Sequence, residues 1–222
     1  MNKLYLYPLW LRSWHWINAL VFVLLIFTGI SMHYSASHDL LVPFETAIVI
    51  HNVAGITLSL MYLAFVIFNI TSGNMKHYLP ELKNFICRQI LQARYYIIGV
   101  FKKEPHPYHP SHENKFNPLQ QVTYLMVMFV FMPLIIFSGL LLMFPELAPD
   151  RIFGMGGIAP MALLHLSSGF FLSLFMFGHI YLATTGSKVT ENFKSMVTGW
   201  HHVEHKNKEI KAINNRVKKC LE

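Results

Sequence analysis

The stretch HLSSGFFLSLFMFGH, residues 165–179, begins and ends with histidine and carries no formal charge in between. On a helix rising about 1.5 Å and turning about 100° per residue, His165 and His179 lie about 21 Å apart along the axis and only about 40° apart in azimuth. The two imidazoles therefore share one face at two depths. Four apolar runs of this kind punctuate the chain, at residues 14–32, 44–70, 119–144 and 158–183. Each is near or above the ~20 residues that cross a hydrocarbon core of ~30 Å. The first run lacks a small-residue cleavage site after Ile30 and is expected to be retained rather than removed as a signal peptide.

Composition agrees with this reading. Of 222 residues, 54% are hydrophobic and 13% charged, against about 25% charged in soluble domains. The net charge of +7 does not point to a nucleic-acid partner, because of where the basic residues fall. Lys3 and Arg12 precede the first run, seven more lie between Gly73 and Asn117, eight follow Gly186, and Arg151 stands alone on the other side. By the positive-inside rule both termini and the long middle loop are cytoplasmic. The two outer connections are short, which makes sequential runs antiparallel neighbours. The expected fold is an all-α integral membrane protein, an up-down four-helix bundle over residues 1–200. A cytoplasmic loop at 73–117 and a charged cytoplasmic tail at 201–222 complete it. Within the loop, FICRQILQARYYIIGVF places Ile86, Ile90, Ile97 and Phe101 at roughly helical spacing, interrupted by Arg88 and Arg94, as in an amphipathic helix on the inner membrane surface. No repeat of 20 to 50 residues is visible. Cys87 and Cys220 have no paired spacing and read as free thiols.

Ionisable residues inside a span are costly and face the bundle interior, where a neutral imidazole is a ready metal ligand. His15 and His51 join His165 and His179 there. Depth decides how they pair. His51 and His165 both lie roughly 9 to 12 Å below the outer surface, while His15 and His179 both lie near the inner end. Two bis-histidine sites stacked in a bundle suit two b haems, since two imidazoles close the iron to substrate and leave electron transfer. Gly55, Gly169 and Gly178, beside these histidines, offer backbone without bulk to a flat macrocycle, or let helices pack closely. Arg12 is a candidate for a haem propionate, or an ordinary positive flank. Two further groups, His106/His109/His112 and His201/His202/His205, have metal-like spacing but sit in a proline-rich loop and in the tail.

RSWHW at the first span, HNVAG in the second, KFNPLQQVTY at the start of the third, the His165/His179 pair and MVTGW after the fourth together resemble the dihaem cytochrome b subunits of membrane-bound respiratory oxidoreductases. This group includes the thiosulfate reductase cytochrome b subunit, the formate dehydrogenase gamma subunit and the nickel-iron hydrogenase cytochrome b. The resemblance covers nearly all of residues 10–200. It implies four histidine ligands to two haem b groups and a menaquinone site near Asn117, Gln120 and Gln121. It also implies a periplasmic iron–sulfur, molybdopterin or multihaem partner subunit, with electrons exchanged across the bacterial cytoplasmic membrane. On the residues alone, Asn117 and Pro118 also suit a helix start. The alternatives are a stand-alone quinol:electron-carrier cytochrome b and a haem-free transporter or assembly protein.

Overall fold

The computed structural model describes residues 2–35, 41–102, 104, 106–108, 115–152, 154–186 and 188–203. Four helical segments are long and apolar enough to cross a membrane: Leu9–His33, Phe44–Thr71, Pro118–Met143 and Ile158–Ala183. The first and second are single helices, α1 (Leu9–His33) and α2 (Phe44–Thr71). The third is two helices, α4 (Pro118–Met126) and α5 (Met132–Met143), joined by a π turn at Val127–Phe131. Pro133 explains the widened turn: it has no N–H to give to the preceding turn, and its ring would collide with the carbonyl four residues back in a regular helix. The fourth span is α6 (Ile158–Ala183). The first begins five residues before the apolar run, at Leu9, where the carbonyl of Pro8 accepts from the Leu11 and Arg12 amides.

The chain divides into two compact units. One comprises Ser13–Asn69 and Val127–His179 and holds most of all four spans. Its core is Val21 from α1, Ala54 and Leu58 from α2, Val127 and Met132 from the third span and Leu172 from α6, with Phe22, Leu25, Tyr62, Ile135 and Phe175 packed around them. Several hydroxyl and amide groups within the spans donate to their own helices, while Ser31 Oγ is buried without a protein partner. Asn18, Thr57, Ser59, Asn69 and Ser173 each donate to the carbonyl four residues back, as polar side chains must where water is absent. Leu20, Phe27, Val53, Leu60, Leu163, Phe170 and Phe177 face outward. Such apolar exposure suits lipid.

The other unit comprises Met1–Arg12, Ile70–Met126 and Ile180–Glu222. Here the structure departs from an all-helical expectation. Strand β1 (Asn2–Tyr5) pairs antiparallel with β4 (Trp200–Val203), and β2 (Arg151–Ile152) with β3 (Met155–Gly156) forms a small hairpin elsewhere in the chain. Neither short strand alternates clearly enough to be read locally, and β1 and β4 meet only through the fold. Gly199 makes that meeting feasible. With φ +85 it ends α7 (Glu191–Thr198), and its carbonyl accepts from the Leu6 amide at 2.9 Å. A Cβ there would stand 2.7 Å from Tyr5 and 2.8 Å from the Tyr7 carbonyl.

Helix α3 (Phe85–Arg94) runs into a π turn at Tyr95–Gly99. It turns Ile86 and Ile90 outward while Gln92 is wholly buried, the reverse of a helix on a water-facing domain. Cys87 on this helix is disulfide-bonded, which corrects the expectation of a free thiol. The chain's other cysteine, Cys220, lies outside the described residues, as does the tail from residue 204.

Candidate functional site

All four span histidines belong to one unit. His15 on α1 faces His179 on α6, with ring centroids 6.1 Å apart. His51 on α2 faces His165 on α6, with centroids 6.2 Å apart. These separations lie within the range of tilted and edge-on ring pairs, and they also match the span of a shared metal. A metal–imidazole bond of about 2 Å, plus about 1.1 Å from nitrogen to ring centre, would put two imidazoles on opposite sides of one ion about 6.2 Å apart. Each gap therefore has the span of one metal ion held between two nitrogens.

The ligating nitrogen of the second pair follows from hydrogen bonding. Thr28 Oγ1 gives its proton to the Leu24 carbonyl at 2.7 Å and lies 2.8 Å from His51 Nδ1. Having spent its proton, the hydroxyl accepts, so Nδ1 carries the hydrogen and Nε2 keeps its lone pair. His165 Nδ1 lies 3.1 Å from the Ile135 carbonyl and 3.2 Å from Ser138 Oγ. A carbonyl only accepts, so Nε2 of His165 is likewise left basic. In the other pair His15 Nδ1 is buried and has no protein hydrogen-bond partner, and His179 stacks on Phe175 with centroids 5.7 Å apart. Nearby, Trp14 is pinned by its Nε1–H to the Met61 carbonyl and by contact with Phe65.

Glycines line both pairs. A Cβ on Gly55 or Gly178 would meet no protein atom within 4 Å, which leaves room for a planar group beside His51 and His179. Gly169 differs: a Cβ there would touch Ile135 at 3.7 Å, so it serves helix packing. Two further glycines, Gly29 and Gly139, lie nearer the rings. A Cβ on Gly29 would be 3.6 Å from His51 Cε1, and one on Gly139 2.9 Å from His165 Cε1. Their signal was a hydroxyl followed by glycine in an apolar run, at Thr28-Gly29 and Ser138-Gly139.

The other candidates lie in the second unit. Arg12 donates through Nη1 to the Val197 carbonyl, which places its charge at the C-terminal turn of α7, where a cation is favoured. Asn117 and Gln120 form a reciprocal cap: the Gln120 amide donates to Asn117 Oδ1 at 2.9 Å and the Asn117 amide to Gln120 Oε1 at 3.0 Å. With Pro118 between them this is a capping box at the start of α4. Asn117 Nδ2 also donates to the Tyr96 hydroxyl at 2.9 Å, and burial raises the Tyr96 phenol above its ordinary range. Gln121 is buried and donates to the His77 carbonyl at 3.3 Å. His106 accepts from the Tyr108 amide, and His201 Nδ1 lies 3.0 Å from Ser195 Oγ. His109, His112 and His205, and the side chain of His202, lie outside the described residues. Among those described, no three His, Cys, Asp or Glu side chains cluster for a metal.

Residues 6–199 match the family described as prokaryotic cytochrome b561. The chain belongs to that family. It is also similar to a protein of Escherichia coli (strain K12) named putative cytochrome YdhU, at 38% identity over 201 residues, covering 90% of this chain and 75% of that protein. Cytochrome b561 membership, together with four membrane-length apolar helices, makes the chain a multi-pass membrane electron-transfer protein that binds b-type haem.

Proposed function

We propose that this cytochrome holds two haem b groups, one between His51 and His165 and one between His15 and His179. In this reading it transfers electrons between the menaquinone pool and a periplasmic redox subunit. The observation that carries the reading is the pair of centroid separations, 6.1 and 6.2 Å, on four histidines of one unit. Haem b, when bound, supplies reversible one-electron transfer. The chain's own part would be to present four imidazoles, Nε2 of His51 and His165 among them, to leave no open position for substrate, and to exclude water with the apolar side chains of the spans around them. Thr28, Ser138 and the Ile135 carbonyl orient two of the rings. Gly29, Gly55, Gly139 and Gly178 keep side chains out of the planes beside them.

The quinone headgroup is assigned to the polar, buried start of α4. Gln120 and Gln121, with Tyr96, supply hydrogen-bond partners there, and Asn117 holds the turn that carries them. In this reading the face of α3 bearing Ile86 and Ile90 lies on the inner leaflet and both termini are cytoplasmic, which the Lys and Arg distribution favours. A pyridine haemochrome assay on the purified protein tests the central claim. Two haems per chain are expected, and one or none would sink it. Co-purification from detergent tests the partner: a stably bound redox subunit is expected, and its absence would favour a stand-alone quinol:electron-carrier cytochrome.

A further inference from the structure

The spans contain a long-range duplication, spaced too far apart to register as a short repeat. LLIFTG at residues 24–29 on α1 corresponds to LIIFSG at 134–139 on α5, and HNVAGITLSL at 51–60 on α2 to HLSSGFFLSL at 165–174 on α6. The correspondence extends to the atoms. Thr28 donates to the Leu24 carbonyl at 2.7 Å with Leu25 at 3.3 Å; Ser138 donates to the Leu134 carbonyl at 2.7 Å with Ile135 at 3.2 Å. Each hydroxyl then meets the Nδ1 of the histidine on the following span, and each histidine also reaches the backbone three residues before that hydroxyl, at Leu25 or Ile135.

Further along the same helices, Ser59 donates to the Gly55 carbonyl and Ser173 to that of Gly169. The matched positions Ala54 and Ser168, and Leu58 and Leu172, are all buried. Thr28 is 2% and Ser138 0% exposed, so neither hydroxyl has water as an alternative partner. A buried hydroxyl aimed at a ring nitrogen in both halves, in LLIFTG and LIIFSG, whose other positions are all apolar, points to a constraint beyond packing. Valine and alanine would fill these positions without hydroxyls to satisfy.

We propose that α1–α2 and α5–α6 are two copies of one half-site, and that Thr28 and Ser138 are its equivalent positioning residues. Each holds the Nδ1–H of its histidine so that Nε2 points at the shared metal. This rests on the reading of His51 and His165 as a ligand pair. The hydroxyls act through the imidazoles and touch no metal themselves. A hydrogen bond from Nδ1–H makes the ligand nitrogen more basic and so favours the oxidised metal, which lowers the midpoint potential of that centre. His15, whose Nδ1 has no protein partner, does not repeat this contact.

The test uses the full-length protein in detergent, with Thr28→Val, Ser138→Ala and the hydroxyl-restoring Thr28→Ser. Haem content is measured by pyridine haemochrome and midpoints by optical redox titration. Thr28→Val and Ser138→Ala are each expected to raise the midpoint of the same spectral component, leave the other unmoved, and have Thr28→Ser return to the wild-type value. Loss of one haem per chain in the hydroxyl-less variants, with recovery in Thr28→Ser, supports the proposal equally. Unmoved midpoints at full haem content, shifts in two different components, or no recovery with Thr28→Ser would overturn it. A wild-type protein without haem would instead overturn the ligand reading on which it rests.

Discussion

Gly139 lies against the imidazole of His165 so closely that a single added methyl group would stand 2.9 Å from Cε1 and 3.3 Å from Nδ1. Its counterpart Gly29 leaves 3.6 Å to His51 Cε1, which is ordinary contact. The two glycines occupy matched places and differ in tolerance. Gly139→Ala is expected to push the His165 ring off its Ile135 and Ser138 partners and to lower haem content toward one per chain. Gly29→Ala should keep two. Pyridine haemochrome assays of the two variants check this, and equal retention would show that the His165 ring can shift without losing its ligand role.

Single-histidine variants should be selective by pair. His51→Ala and His165→Ala are expected to abolish one spectral component, and His15→Ala and His179→Ala the other, because each histidine faces one other span histidine across about 6 Å, the span of two metal–imidazole bonds. Redox titration of the four variants reads this out. If His15→Ala and His51→Ala removed the same component, the ligand assignment would be wrong.

Asn117 separates two roles that the sequence could not. Its side chain caps α4 and also reaches Tyr96. Asn117→Ser keeps a capping oxygen, so stability should fall by much less than the about 1 kcal/mol expected when a cap is deleted outright. Gln120→Leu removes an amide from the proposed headgroup site, with a loss of roughly 1 to 3 kcal/mol in quinone interaction, or about 5- to 150-fold. Stopped-flow reduction by a menaquinol analogue, on protein retaining both haems, is the measurement. Wild-type rates in Gln120→Leu would move the quinone site away from the start of α4.

Topology can be read with reporters. A fusion after Glu222 is expected to behave as cytoplasmic and an insertion after Asp150 as external, since Arg151 is the one basic residue on that side. An external C-terminus would reverse the orientation of both histidine pairs relative to the partner.

Four spans, and four histidines within them at two matched depths, were legible in the chain itself. Membrane insertion depends on length and apolarity, and depth along a helix is counted in residues, so neither needs a neighbour to be known. What the tertiary structure decided is everything that depends on which faces meet. It put Thr28 and Ser138 on the Nδ1 atoms of His51 and His165. It turned Asn117 and Gln120 toward each other, took Arg12 to the end of α7, and paired β1 with β4 around Gly199. The long-range repeat lies between these cases: LLIFTG and LIIFSG can be seen in the sequence, but apolar runs resemble one another by composition alone. Only the repeated hydroxyl–imidazole contact, formed between helices and therefore invisible to local periodicity, distinguishes a duplicated half-site from two similar stretches of lipid-facing chain.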